Sequence, residues 1–132
     1  LADLLFNNGV DIILGSHPHV LEPMEKRAIT LEDGTTKDGF VIYSLGNFIT
    51  SDSTGNITRK SVLYKLVLTR ENGDVVLSDE SYIPCRVVEG TLKSFYTVFP
   101  TQAEYRNNRE SSLLEQAQEE IAAVIGSKIR LD

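Results

Sequence analysis

Gly9-Val10-Asp11-Ile12-Ile13-Leu14-Gly15-Ser16-His17-Pro18-His19 is the most informative stretch of the chain. The apolar run 10–14 is rich in β-branched residues and closes on Gly15, the pattern of a buried strand. The loop that leaves this strand carries the only two histidines. In layered α/β proteins ligands gather at the carboxyl ends of strands. Ahead of the strand, Leu1, Leu4 and Leu5 share one face at helical spacing, and Gly9 stands where a C′ residue turns left-handed. Residues 1–9 therefore read as the last turns of a helix. No N-cap signal precedes them, so the chain is expected to continue on the N-terminal side.

Working outward, residues 20–31 contain an expected strand interrupted by Pro23, followed by a turn at Glu32-Asp33-Gly34-Thr35 and a second at Lys37-Asp38-Gly39. Residues 40–45 read as another buried strand ending at Gly46-Asn47-Phe48, and the polar stretch 50–60 as a mobile loop. Asn72-Gly73 between two β-prone runs, 62–68 and 75–83, predicts a hairpin. Residues 94–99 supply one more short strand. Ser112-x-x-Glu115 is a capping-box pattern, with Leu113, Ala117, Ile121 and Val124 at helical spacing and Gly126 as a stop. The expected class is an α/β or α+β layered domain, mixed to antiparallel in its strands, with a C-terminal helix.

Composition narrows the partners. The 132 residues are 41% hydrophobic and carry 13 basic against 19 acidic side chains, net −6. That balance argues against nucleic acid and anionic membrane surfaces. The single Cys85 excludes an internal disulfide framework. No run approaches the ~18 apolar residues of a membrane span.

His17 and His19 are the candidate metal ligands. In an extended segment, residues i and i+2 project to one side roughly 7 Å apart, so each imidazole could reach one ion of a pair ~3.5–4 Å apart. Pro18 would stiffen the presentation, and Gly15 would let the chain leave the strand without a Cβ clash. The competing reading is a solvated His-x-His pair in a loop. The nearby acids Asp11, Glu22 and Glu25 lie at no metal-ligand spacing and read as surface charges, leaving two ligands where a dinuclear site needs several more. Asn47, after the second strand, is either a supporting group beside the histidine loop or a structural turn residue. Ser44, Ser51 and Ser53 lack a third histidine as base. Cys85 beside Arg86 is either an activated thiol or a small core residue. Tyr105, Arg106 and Arg109 could bind an anion or form a solvated face.

Residues 9–23, with Gly15-Ser16-His17-Pro18-His19 at their centre, and Val41-Ile42-Tyr43-Ser44-Leu45-Gly46-Asn47-Phe48-Ile49 resemble two blocks of the CapA/PgsA-type capsule-biosynthesis family, in the same order and with a similar gap. That family is similar to the calcineurin-like metallophosphoesterases. The resemblance implies that residues 1–132 are the C-terminal portion of a four-layer α/β/β/α sandwich. It implies that His17 and His19 each hold one ion of a divalent pair (Mn, Fe or Zn) in the intact protein, bound weakly or not at all by this stretch alone. It implies poly-γ-glutamate capsule synthesis or export, an extracytoplasmic and membrane-associated setting, and capsule synthase membrane components as partners. The upstream Asp-x-His, Gly-Asp and Gly-Asn-His motifs have no match here, and Ser16 stands where relatives often carry His. The stretch alone is thus expected to be inactive. A non-catalytic scaffold role in a capsule complex is the alternative, and an independent β-rich binding module a third. An apolar sheet face left bare by the rest of the domain is expected to drive self-association.

Overall fold

In the computed structural model, residues 1–51, 55–90, 95–106, 110–126 and 130–131 are described. The elements in chain order are α1 (Ala2–Asn7), β1 (Ile12–Leu14), β2 (Met24–Thr30), β3 (Thr36–Ile42), β4 (Lys60–Glu71), β5 (Asp74–Glu89), β6 (Tyr96–Pro100), α2 (Ser111–Ile125) and β7 (Arg130–Leu131). Short 3₁₀ turns occupy Asn56–Arg59 and Ala103–Tyr105. The class is α+β: two small sheets and a C-terminal helix, consistent with part of a layered α/β fold.

The first sheet has the order β1-β3-β2, with β1 parallel and β2 antiparallel to β3. Alternation along β3 assigns its two faces. Val41 packs with Phe6 of α1 and Ile29 of β2 on one side. Phe40 and Ile42 turn to the other, joining Met24, Val62, Tyr82, Ile121 and Ile125 in the main core. That core draws on both sheets and on α2. Phe40 stacks on Tyr64 of β4 at 5.2 Å between ring centroids. The carboxylate of Glu80 accepts from Tyr64 Oη (2.9 Å) and pairs with Lys26 of β2 (2.6 Å), a second tie between the sheets.

The second sheet runs β4-β5-β6, antiparallel throughout, with β7 parallel to β5. The hairpin expected at Asn72-Gly73 forms, with φ of 52° and 101° at the two turn residues, both in the left-handed region that a two-residue hairpin turn of this kind requires.

Several expectations are corrected. Lys37-Asp38-Gly39 is not a turn but part of β3. Gly39 is there because a Cβ would lie 2.2 Å from Ile29 Cδ1 and 2.8 Å from Phe6 Cε1, so the strand must be bare where α1 crosses it. In α1, Phe6 is the buried residue while Leu1 and Leu4 are exposed. β1 is shorter than residues 10–14 and is not fully buried: Leu14 is 55% exposed. Part of the 50–60 stretch is helical and residues 52–54 lie outside the described set. Helix α2 starts at Ser111 with Glu110 at the N-cap and no side-chain cap bond, so the capping box at Ser112 does not form. Its buried face is Leu114, Ala117, Ile121 and Ile125, sharing only Ala117 and Ile121 with the face predicted.

Candidate functional site

Gly15 begins the site. Its N–H donates to Ile42 O (2.7 Å) and its carbonyl accepts from Leu45 N (3.2 Å), so the chain leaving β1 stays pressed against the chain leaving β3. A Cβ on Gly15 would sit 2.0 Å from Tyr43 O. The glycine is required by this close approach of two backbones, as expected, rather than by a special φ. Beyond it, Leu21 bridges Leu45 and Gly46 bridges Ser61 of β4. The 44–47 segment is therefore stitched to the histidine loop on one side and to the second sheet on the other.

The histidine loop is not extended. His17 has φ 115° and His19 φ 61°, both in a region that side-chain-bearing residues seldom adopt. Such outliers persist only where the surroundings hold them, and they concentrate at functional sites. Pro18 lies between two left-handed residues, so the pair is presented by a tight turn and not by strand alternation. The rings nevertheless converge, with centroids 6.4 Å apart and planes inclined at 41°. Both side chains are exposed.

Asn47 holds this turn. Its Nδ2 donates to the carbonyl oxygens of His19 (3.1 Å) and Thr58 (3.1 Å), and its Oδ1 lies 2.8 Å from His19 Nδ1. The two donated bonds decide the amide's orientation, because the reverse placement would set a carbonyl oxygen against two others. Oδ1 can only accept, so Nδ1 of His19 carries the hydrogen. Nε2 is then the ring nitrogen that Asn47 does not engage, the arrangement in which a neighbouring group fixes a ligating histidine's ring.

Two of the three nearby acids are paired. Asp11 pairs with Lys37 (2.6 Å). Glu25 accepts from Arg27 Nη2 (2.6 Å) and Nε (2.9 Å) and from Tyr43 Oη. The Arg27 bonds hold the Glu25 carboxyl below the usual range, and the Glu25 contact pushes the Tyr43 phenol up. Among the described residues no group of three or more His, Cys, Asp or Glu side chains is placed to hold a metal ion. The two histidines fit as a pair of nitrogen donors and do not by themselves complete an ion's coordination.

Other candidates resolve toward structure. Cys85 is fully buried and burial pushes its thiol pKa up, which removes the activated-thiol reading. Ser44 is buried and its Oγ accepts from Gly46 N (3.2 Å). Arg106 donates to Thr101 O (2.7 Å) and Gln118 Oε1 (2.9 Å), tying the chain after β6 to α2. Tyr105 is exposed, while Ser53 and Arg109 lie outside the described residues. The Thr58 carbonyl has no signal in the sequence, and Arg86, named there only as the neighbour of Cys85, is itself buried. An arginine inside the β-branched run after Cys85 was the available signal for the second.

A layered α+β unit that presents two fixed imidazoles where a strand ends is the class these observations define. Residues 1–52 match the family model "Bacterial capsule synthesis protein PGA_cap". The chain is 33% identical over 106 residues to "Capsule biosynthesis protein CapA" of Bacillus anthracis, covering 80% of this chain and 22% of that protein. It is 42% identical over 73 residues to "PGA biosynthesis protein CapA" of Bacillus subtilis (strain 168), covering 55% and 16%. These matches, partial and modest in identity, support a CapA-type capsule biosynthesis protein. It spans about a fifth of the length of these curated relatives. No solved structure matches it.

Proposed function

We propose that this chain supplies the last ligating segment of a dinuclear divalent-metal site (Mn, Fe or Zn) in a phosphoesterase-like capsule biosynthesis protein acting in poly-γ-glutamate synthesis or export. His17 and His19 would each hold one ion, His19 through Nε2 because Asn47 engages its Nδ1. The observation that carries this is the Asn47 clamp on a turn with two left-handed histidines, since a solvated loop has no need of either. The ions would polarise a phosphoryl or related centre and lower the pKa of water for attack. The chain's own residues orient the imidazoles and, through Gly15 and Pro18, fix where the loop leaves β1. The remaining ligands and the bridging carboxylate come, in this proposal, from sequence preceding residue 1 in the intact protein.

An apolar surface beside the loop supports that arrangement. Leu14, Phe48, Ile49 and Leu63 are about half exposed, and a cavity of about 380 Å³ opens among Leu14, Ser16, Leu45, Phe48 and Leu63. The preceding part of the domain would cover it and pair with the free edge of β1. The intact protein is proposed to be extracytoplasmic and membrane-associated, working with capsule synthase membrane components. Among the described residues no helix is long and apolar enough to cross a membrane.

Elemental analysis and calorimetry with Mn²⁺ and Zn²⁺ on the full-length protein test the reading. About two ions per chain are expected, lost in the His17→Ala, His19→Ala double variant. A full-length protein that binds no metal contradicts it and favours the scaffold role.

A further inference from the structure

Arg86 has a chemistry the histidine site does not use. It sits within β5, opposite Lys60 of β4 and Phe99 of β6, and is only 5% exposed. Its Nε is buried without a hydrogen-bond partner among the described residues. A guanidinium does not shed its proton in a protein, so this burial is not relieved by neutralisation, and a buried charge without a partner is costly. Burial and then the field of Arg59 both disfavour its charge, with Glu120 opposing them. The carboxylates in reach are committed elsewhere. Glu120 accepts from Lys60 Nζ on Oε2 and from the Gln116 amide on Oε1 (2.8 Å), and Glu89 pairs with Arg59 (3.2 Å). Among the described residues, Arg59 engages Glu89 and Lys60 engages Glu120 beside this stretch of β5, while Arg86 Nε is left without a partner.

We propose that this stretch is an oxyanion subsite, in which the Arg86 guanidinium, backed by Arg59 and Lys60, binds one carboxylate or phosphate group of a ligand. The planar fork of an arginine matches both groups, and charge-assisted bonds of this kind are the strong ones. Arg59 and Lys60 directly follow Thr58, whose carbonyl Asn47 holds, so the subsite hangs from the same segment as the histidine loop. It stands on Arg86 and its neighbours and does not depend on metal at the histidines.

The test is calorimetric titration of the chelator-treated full-length protein with inorganic phosphate and, separately, glutarate, for the wild type and Arg86→Gln. Chelation removes metal-held anion from the readout. Saturable binding of at least one probe is expected, weakened roughly tenfold or more in the variant, as for loss of a charged hydrogen bond. Phosphate alone binding assigns a phosphate ligand, and glutarate alone a carboxylate. The Nε–H resonance of Arg86 in ¹⁵N-labelled wild type provides a readout that does not require the variant to fold, and it should shift saturably with the same anion. No binding of either probe, equal affinity in the variant, or an Nε–H resonance unmoved at saturation overturns the proposal.

Discussion

Replacing Asn47 by Ala removes three hydrogen bonds at once: the 2.8 Å contact to His19 Nδ1 and the two 3.1 Å bonds to the carbonyls of His19 and Thr58. Each is worth about 0.5–1.5 kcal/mol net, giving roughly 1.5–4.5 kcal/mol in all. The histidine loop is exposed, so water can re-solvate the freed carbonyls, and the lower end, about 2 kcal/mol, is expected. Urea denaturation of the full-length protein measures it as a lowered midpoint at unchanged m-value. The loss should also be coupled to His19. In a double-mutant cycle with His19→Ala, an interaction energy of about 0.5 kcal/mol or more is expected for groups in direct contact. Metal affinity should fall about 10- to 100-fold in Asn47→Ala, as for loss of a group that orients a ligating histidine. An Asn47→Ala protein within about 0.5 kcal/mol of wild type, with no coupling to His19, would refute the clamp.

The two close-packed glycines should behave differently under Ala substitution. Gly15→Ala drives a methyl into the Tyr43 backbone carbonyl, whereas Gly39→Ala meets the end of the Ile29 side chain and the Phe6 ring; thermal melts should show the larger loss for Gly15→Ala. Phe6→Ala should cost about 3–5 kcal/mol by opening the pocket between α1 and the first sheet, read by denaturant titration. Glu25 has a lowered folded pKa, set mainly by its bond to Arg27. Its contribution is therefore complete above the ordinary carboxylate value and lost as pH falls through the lower folded value. Glu25→Gln should flatten the acid limb of a stability–pH curve, and an unchanged limb would count against that network. Cys85 should resist thiol reagents in the native protein and react only on unfolding.

How far the chain could be read from its residues depended on whether the signal was local. Asn72-Gly73 and Gly9 were legible because a left-handed backbone is a property of a few adjacent residues. Gly39 was not, because its cause is Ile29 across the sheet and Phe6 of α1, neither adjacent in sequence. The α2 face was predicted at Leu113 and Val124 instead of Leu114 and Ile125 because both sets satisfy helical spacing, and only the position of β5 chooses between them. β1 looked fully buried from its composition, yet the described residues cover it incompletely. His17, His19 and Asn47 were picked out by type and position, but the turn that presents the rings was not. An alternating strand was the simplest geometry for His-x-His, and the left-handed pair becomes tenable only once the Asn47 amide grips the loop from a segment 28 residues away.

Metal stoichiometry in the two single variants of the full-length protein, His17→Ala and His19→Ala, measured beside wild type, tests directly whether the two histidines are ligands. If each imidazole holds its own ion, wild type should retain about two ions per chain and each variant should lose or weaken one while keeping the other. Wild-type stoichiometry and affinity in both variants would show that neither histidine is a ligand and would contradict the account.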